Sequence, residues 1–92
     1  MLSLWEVRQR QERLKSQIAD NLDILIGSVS TKGPARSGFN LTFKVDQVTK
    51  TRHIRKTLVP KVREMIERHK KLKQLLQELS DINWELLKRQ SE

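Results

Sequence analysis

The stretch after Pro60 contains neither glycine nor proline, and this feature constrains the fold most. Proline favours the first turn of a helix, so we predict a helix over residues 60–89. Its apolar residues recur at heptad spacing, which is typical of helices that pack along a coiled-coil-like seam. One seam position is occupied by Val62, His69, Leu76 and Asn83, and the other by Met65, Leu72, Leu79 and Leu86. The apolar stripe is widened by Ile66, Leu75, Ile82 and Leu87.

A second helix is predicted near the N-terminus, over residues 3–24. Ser3 is the expected N-cap, with Glu6 three residues later as in a capping box. The end of this helix is less sharply marked, because the run at 24–26 suits either the helix or a following strand. The apolar spacing from Leu4 to Leu22 fits one helical stripe.

The middle of the chain changes to the alternating pattern of a half-buried strand over residues 39–45. A turn at Asp46 and Gln47 and a second strand at 49–58 complete a predicted hairpin, and Ser28–Thr31 can add a short third strand. We therefore expect one α+β domain that is mostly helical. It comprises helix 3–24, a β-ribbon segment 26–58 and helix 60–89.

The long helix is expected to mediate dimer formation. The N-terminal helix is shorter, so antiparallel packing of the two leaves apolar surface on the long helix for a second chain in a dimeric bundle. Asn83 at a seam position would specify register and oligomeric state if buried, or would face solvent near a fraying helix end. The expected oligomer interface comprises Leu72, Leu76, Leu79, Ile82, Asn83 and Leu86.

The net charge of +8 lies entirely in the middle third of the chain. Residues 31–63 carry nine cations and one anion, whereas residues 1–30 and 64–92 are each neutral. Clustered cations repel each other, and a polyanion would compensate that repulsion. The predicted nucleic-acid-binding residues are Lys32, Arg36, Lys44, Lys50, Arg52, His53, Arg55, Lys56, Lys61 and Arg63.

Several other classes of protein fit the sequence poorly. The chain has no cysteine and only two histidines, so we expect no metal site and no cofactor. No set of nucleophile, base and orienting group is visible, which argues against an enzyme. The longest apolar run, Ile24–Ile26, is far too short to cross a bilayer, and we expect a cytoplasmic protein without membrane contact.

Two functions remain open from the residues. The first is nucleic-acid binding by a homodimer, with DNA favoured over RNA because a two-stranded ribbon fits the major groove. Such a protein would act as an accessory or regulatory factor. The alternative is a protein-interaction module whose long helix and basic segment bind an acidic protein partner.

Two segments of the chain stand out as motifs. The first is the strand-to-helix junction 58–66, Leu-Val-Pro-Lys-Val-Arg-Glu-Met-Ile, and the second is the stretch 77–83, Gln-Glu-Leu-Ser-Asp-Ile-Asn. With these two motifs the chain resembles a family of short uncharacterised prokaryotic proteins. The resemblance covers roughly residues 26–87. Genes for such proteins often lie beside transposase-like genes, so the resemblance implies a prokaryotic mobile-element setting and no particular activity.

Overall fold

A computed structural model describes residues 2–31 and 38–90 of the chain. Its elements follow the order helix, three strands, helix: α1 (Leu4–Ala19), β1 (Ser28–Thr31), β2 (Phe39–Val45), β3 (Val48–Ile54) and α2 (Val59–Gln90). The chain forms two compact units. Unit 1 comprises residues 1–22 and 70–92, and unit 2 comprises residues 23–69. The order of helices and strands confirms the predicted α+β class.

Helix α1 begins as predicted and ends earlier than predicted. The Ser3 hydroxyl accepts a hydrogen bond from the Glu6 backbone N–H at 3.2 Å, which confirms the N-cap. The end predicted near residue 24 is wrong, because α1 ends at Ala19. The side chain of Asn21 donates to the Gln17 carbonyl at 2.7 Å and so replaces the backbone donor of a further helical turn.

Unit 1 is an antiparallel pair of α1 and the C-terminal part of α2. Its buried core consists of Val7 and Leu14 from α1 with Leu75 and Ile82 from α2. At one end of the pair, the Arg89 guanidinium donates to the Leu2 carbonyl at 2.8 Å. Hydrogen bonds from Arg89 and Lys88, together with the charge of Lys88, hold the pKa of the Glu85 carboxyl below its usual value.

The buried stripe of α2 departs from the predicted seam. Leu76 is 47% exposed and Asn83 is exposed, whereas the residues one position earlier, Leu75 and Ile82, are buried. The cause is that a straight α-helix drifts by about 20° per heptad, so a strict seven-residue repeat rotates out of the core. Leu79 and Leu86 are half-buried against this core and Leu72 is buried. Three residues of the expected oligomer interface, Leu79, Ile82 and Leu86, therefore pack against α1 within the same chain.

Unit 2 contains an antiparallel sheet in the order β1-β2-β3. The predicted third strand at Ser28–Thr31 is thus confirmed. Asp46 and Gln47 join β2 and β3 in a two-residue turn, both with positive φ. The second hairpin strand ends at Ile54 instead of continuing to 58, because residues 56–58 form a 3₁₀ helix that leads into α2.

One face of this sheet packs on the first turns of α2. Leu41 and Ile54 from the sheet are buried with Val59, Val62 and Ile66 from α2. The segment that precedes β1 is also attached to α2, since the Arg68 guanidinium donates to the Asp23 carbonyl at 2.8 Å. The Leu25 N–H donates to the Met65 carbonyl at 3.3 Å.

Helix α2 contains 32 residues and charged side chains recur along its length. Within the described parts of the chain, neither helix combines the length and the apolar character that a membrane span requires.

Candidate nucleic-acid interface

The sheet has a polar face on the side opposite the apolar core. Residues that pair across antiparallel strands point to the same side of a sheet, and successive residues alternate between its two sides. Asn40 pairs with Ser30 and His53, and Thr42 pairs with Ser28 and Thr51. The polar face, as we call it from here, consists of Ser28, Ser30, Asn40, Thr42, Lys44, Thr49, Thr51 and His53.

Within the described strands, the polar face contains no aspartate or glutamate. Its β3 members, Thr49, Thr51 and His53, are exposed, and Asn40 and Thr42 are half-buried. The hydroxyl groups of Ser30 and Thr42 lie 3.1 Å apart and form a hydrogen bond between β1 and β2. The face therefore presents hydroxyl, amide and imidazole groups together with one ammonium group.

Two of the predicted binding cations point to the other side of the sheet. Lys50 pairs with Phe43, and Arg52 pairs with Leu41, so both share the side of the apolar core. The Arg52 guanidinium carbon lies 5.1 Å from the centre of the Phe43 ring, within the range of a cation–π interaction. Both side chains are exposed, and β3 is an edge strand from which a long side chain can extend past the sheet.

A second group of cations follows β3 along the chain. Arg55 precedes the 3₁₀ helix, Lys56 begins it, and Arg63 lies in the first turns of α2. Their side chains are exposed and form no hydrogen bond or ion pair with the part of the chain that the structure describes. Lys61 differs, because its ammonium group lies 3.4 Å from the Glu64 carboxylate.

The structure therefore divides the predicted site. It places Lys44 and His53 on the polar face, at opposite ends of the β2–β3 hairpin, and it places Lys50 and Arg52 on the other side of the sheet. Two predicted residues, Lys32 and Arg36, lie outside the described residues.

Six members of the polar face are absent from the predicted binding residues. These are Ser28, Ser30, Asn40, Thr42, Thr49 and Thr51. The alternation of Phe39, Leu41 and Phe43 already places the residues between them on the opposite side of β2. Strand alternation was therefore the signal for Asn40 and Thr42, whereas the two serines required the pairing of β1.

The charge of the chain is unevenly divided between the two units. Unit 2 spans ten lysines and arginines and four acidic residues, a net charge of +6. Unit 1 spans nine cations and seven anions, a net charge of +2. The polar face thus belongs to the unit that carries most of the positive charge.

Within residues 2–31 and 38–90, no group of three or more histidine, aspartate or glutamate side chains is placed to hold a metal ion. The side chains of the polar face can form hydrogen bonds and attract anions.

No family model, no curated protein and no solved structure matches this chain. The resemblance to a family of short prokaryotic proteins stays a prediction from the sequence.

Proposed function

We propose that the protein binds nucleic acid, with duplex DNA favoured, through unit 2 and its polar face. The observation that carries this proposal is the polar face itself, free of carboxylates along its described strands, in a unit of net charge +6. Phosphate groups repel carboxylates and attract lysine and arginine, so a carboxylate-free face in a unit of net positive charge suits a polyanion.

The side chains of unit 2 suit two different kinds of contact. Asparagine, serine, threonine and histidine donate and accept hydrogen bonds, as contacts to base edges require. Arginine and lysine at the edge strand and at the junction with α2 suit phosphate oxygens. We propose that Asn40, Thr51 and His53 face the bases, and that Arg52, Arg55 and Lys56 contact phosphates.

The β2–β3 ribbon has a suitable width for the major groove. Two neighbouring strands lie about 4.8 Å apart, and the major groove of B-DNA, about 12 Å wide, admits a two-stranded ribbon. A dimer would present two such ribbons to the DNA, as many small DNA-binding proteins do. We include a helical dimer in the proposal for this reason.

The proposal is tested by changing the two groups of residues separately. Changing Asn40, Thr51 and His53 together to Ala should weaken sequence preference among duplexes, because these side chains would contact bases. Changing Arg52, Arg55 and Lys56 to Ala should weaken binding to all duplexes by a similar factor, because phosphates carry no sequence information. Fluorescence anisotropy with labelled duplex DNA, single-stranded DNA and RNA measures both effects.

The control changes three cations on α2 that lie in unit 1, Lys70, Lys71 and Lys73, to Ala. We expect this variant to retain most of its affinity, and circular dichroism verifies that all variants keep their helices. An equal loss in the control would contradict the choice of surface. If an excess of unrelated DNA fails to displace an acidic protein partner, the protein-interaction alternative is favoured instead.

A further inference from the structure

An apolar strip runs along one side of unit 1. Asn83 and Gln11 define this side, because the Gln11 side-chain amide donates to the Asn83 carbonyl oxygen at 2.8 Å. Leu4 lies two helical turns before Gln11 on α1, and Leu76 lies two turns before Asn83 on α2. Leu87 lies one turn after Asn83. Spacings of four and seven residues keep side chains on one side of a helix.

These leucines are among the exposed large apolar residues of unit 1. Leu4 and Leu76 are each 47% exposed and Leu87 is 55% exposed. The three leucines flank the amide pair and form what we call the apolar face. Antiparallel helix pairs with such a face are completed in helical bundles by a second pair of helices.

We propose that the apolar face binds a second copy of this chain and forms a four-helix bundle. This inference makes the dimer of the proposed function specific, and it does not depend on nucleic-acid binding. It also replaces the interface expected from the sequence. Of the residues expected there, Leu76 and Asn83 remain, whereas Leu79, Ile82 and Leu86 pack in the core of unit 1 and Leu72 is buried.

The amide pair at the centre of the apolar face supports a second copy as the occupant. The hydrogen bond between Gln11 and Asn83 uses one donor and one acceptor. It leaves the Asn83 amide nitrogen and the Gln11 carbonyl oxygen without a partner among the described residues. A twofold axis through this point lets each unused donor meet the unused acceptor of the other copy, which is the self-complementarity that an isologous interface requires.

The charge and size of unit 1 are also compatible with a second copy. Its nine cations and seven anions nearly balance, so two units can approach without the repulsion that unit 2 would experience with its net charge of +6. Helix α1 has 16 residues and is about 24 Å long, and two adjacent helices are about 20 Å wide. Two such faces bury roughly 1,000 Å² together, the lower limit for a specific interface.

Light scattering of the full chain without nucleic acid tests the proposal. We expect twice the mass of one 10.9 kDa chain for the wild-type protein at micromolar concentration. Changing Leu76 and Leu87 together to Asp should give the mass of one chain. Leu58→Asp is the matched control, because Leu58 is 51% exposed and lies in unit 2. A monomeric wild-type protein, or a folded double variant that stays dimeric, would overturn the proposal.

Cross-linking is a second test, and it remains decisive even if the variant with Leu76 and Leu87 changed to Asp unfolds. The chain has no cysteine, so Asn83→Cys introduces a single thiol next to the proposed twofold axis. A short bis-maleimide should join two N83C chains covalently, and it should join few S16C chains, because Ser16 lies on the side of α1 away from Leu14. Equal yields from the two variants would overturn the proposal. Because neither test contains DNA, failure here removes the helical dimer from the proposed function and leaves nucleic-acid binding by unit 2 to its own test.

Discussion

Gly27 shows how a single residue permits the sheet to form. It lies directly before β1 with φ of +141°, a conformation that side chains rarely adopt. A Cβ atom at this position would lie 2.5 Å from the Thr42 carbonyl oxygen, which belongs to the central strand and has little freedom to shift. Glycine is therefore required where the chain enters the sheet.

Gly27→Ala should consequently lower the free energy of unfolding by about 1–3 kcal/mol. Urea denaturation followed by circular dichroism measures this change. Ser28→Ala serves as the control, because its side chain is exposed and its backbone is ordinary β-strand. If G27A is as stable as S28A, the close approach to Thr42 is not a constraint on the fold.

At the scale of elements, the hairpin turn is formed by two residues whose positive φ angles are energetically unfavourable for side chains other than glycine, asparagine and aspartate. Asp46 has φ of 51° and Gln47 has φ of 68°, and a two-residue turn with positive φ at both positions favours Asn-Gly. Gln47→Gly should therefore raise the free energy of unfolding by roughly 0.5–1 kcal/mol. Thermal denaturation measures the gain, and Gln47→Ala, which keeps a Cβ atom, should show none. Equal melting temperatures for the two variants would contradict this account.

The elements also show which features a sequence can predict. The apolar alternation over residues 39–45 and the absence of glycine and proline after Pro60 are local signals. Strand β2 and helix α2 were therefore predicted closely. The ends of α1 and β3 depended on competition between neighbouring elements. Asn21 ends α1 with a side-chain hydrogen bond, and the residues after Ile54 form a 3₁₀ helix before α2. Propensity alone does not decide such competitions.

The sequence predicts the positive charge of the candidate site, but it does not predict on which side of the sheet each cation lies. Clustered cations can be counted without a structure, and nine of them fall between residues 31 and 63. The division between the two sides of the sheet depends on strand register, which places His53 on the polar face and Arg52 on the other side. A shift of one residue in register exchanges the sides, so the list of cations alone could not define a surface.

For the whole molecule, charge and apolar surface are assigned to different units. Unit 2 has the polar face and a net charge of +6, whereas unit 1 is nearly neutral and has the apolar face. In the proposed function, unit 2 binds nucleic acid and unit 1 binds a second copy. The two roles use different residues, so variants can separate them.

The salt dependence of duplex binding tests the central proposal most directly. If each protomer contacts about five phosphates, the logarithm of the association constant should fall with the logarithm of salt concentration at a slope of about −4.5 per protomer. Anisotropy titrations between about 50 and 200 mM salt determine this slope. We predict that changing Arg52, Arg55 and Lys56 to Ala makes the slope shallower by about three, whereas the Lys70, Lys71 and Lys73 variant keeps it. A flat salt response of the wild-type protein, or no binding at the lowest salt, would contradict nucleic-acid binding by unit 2.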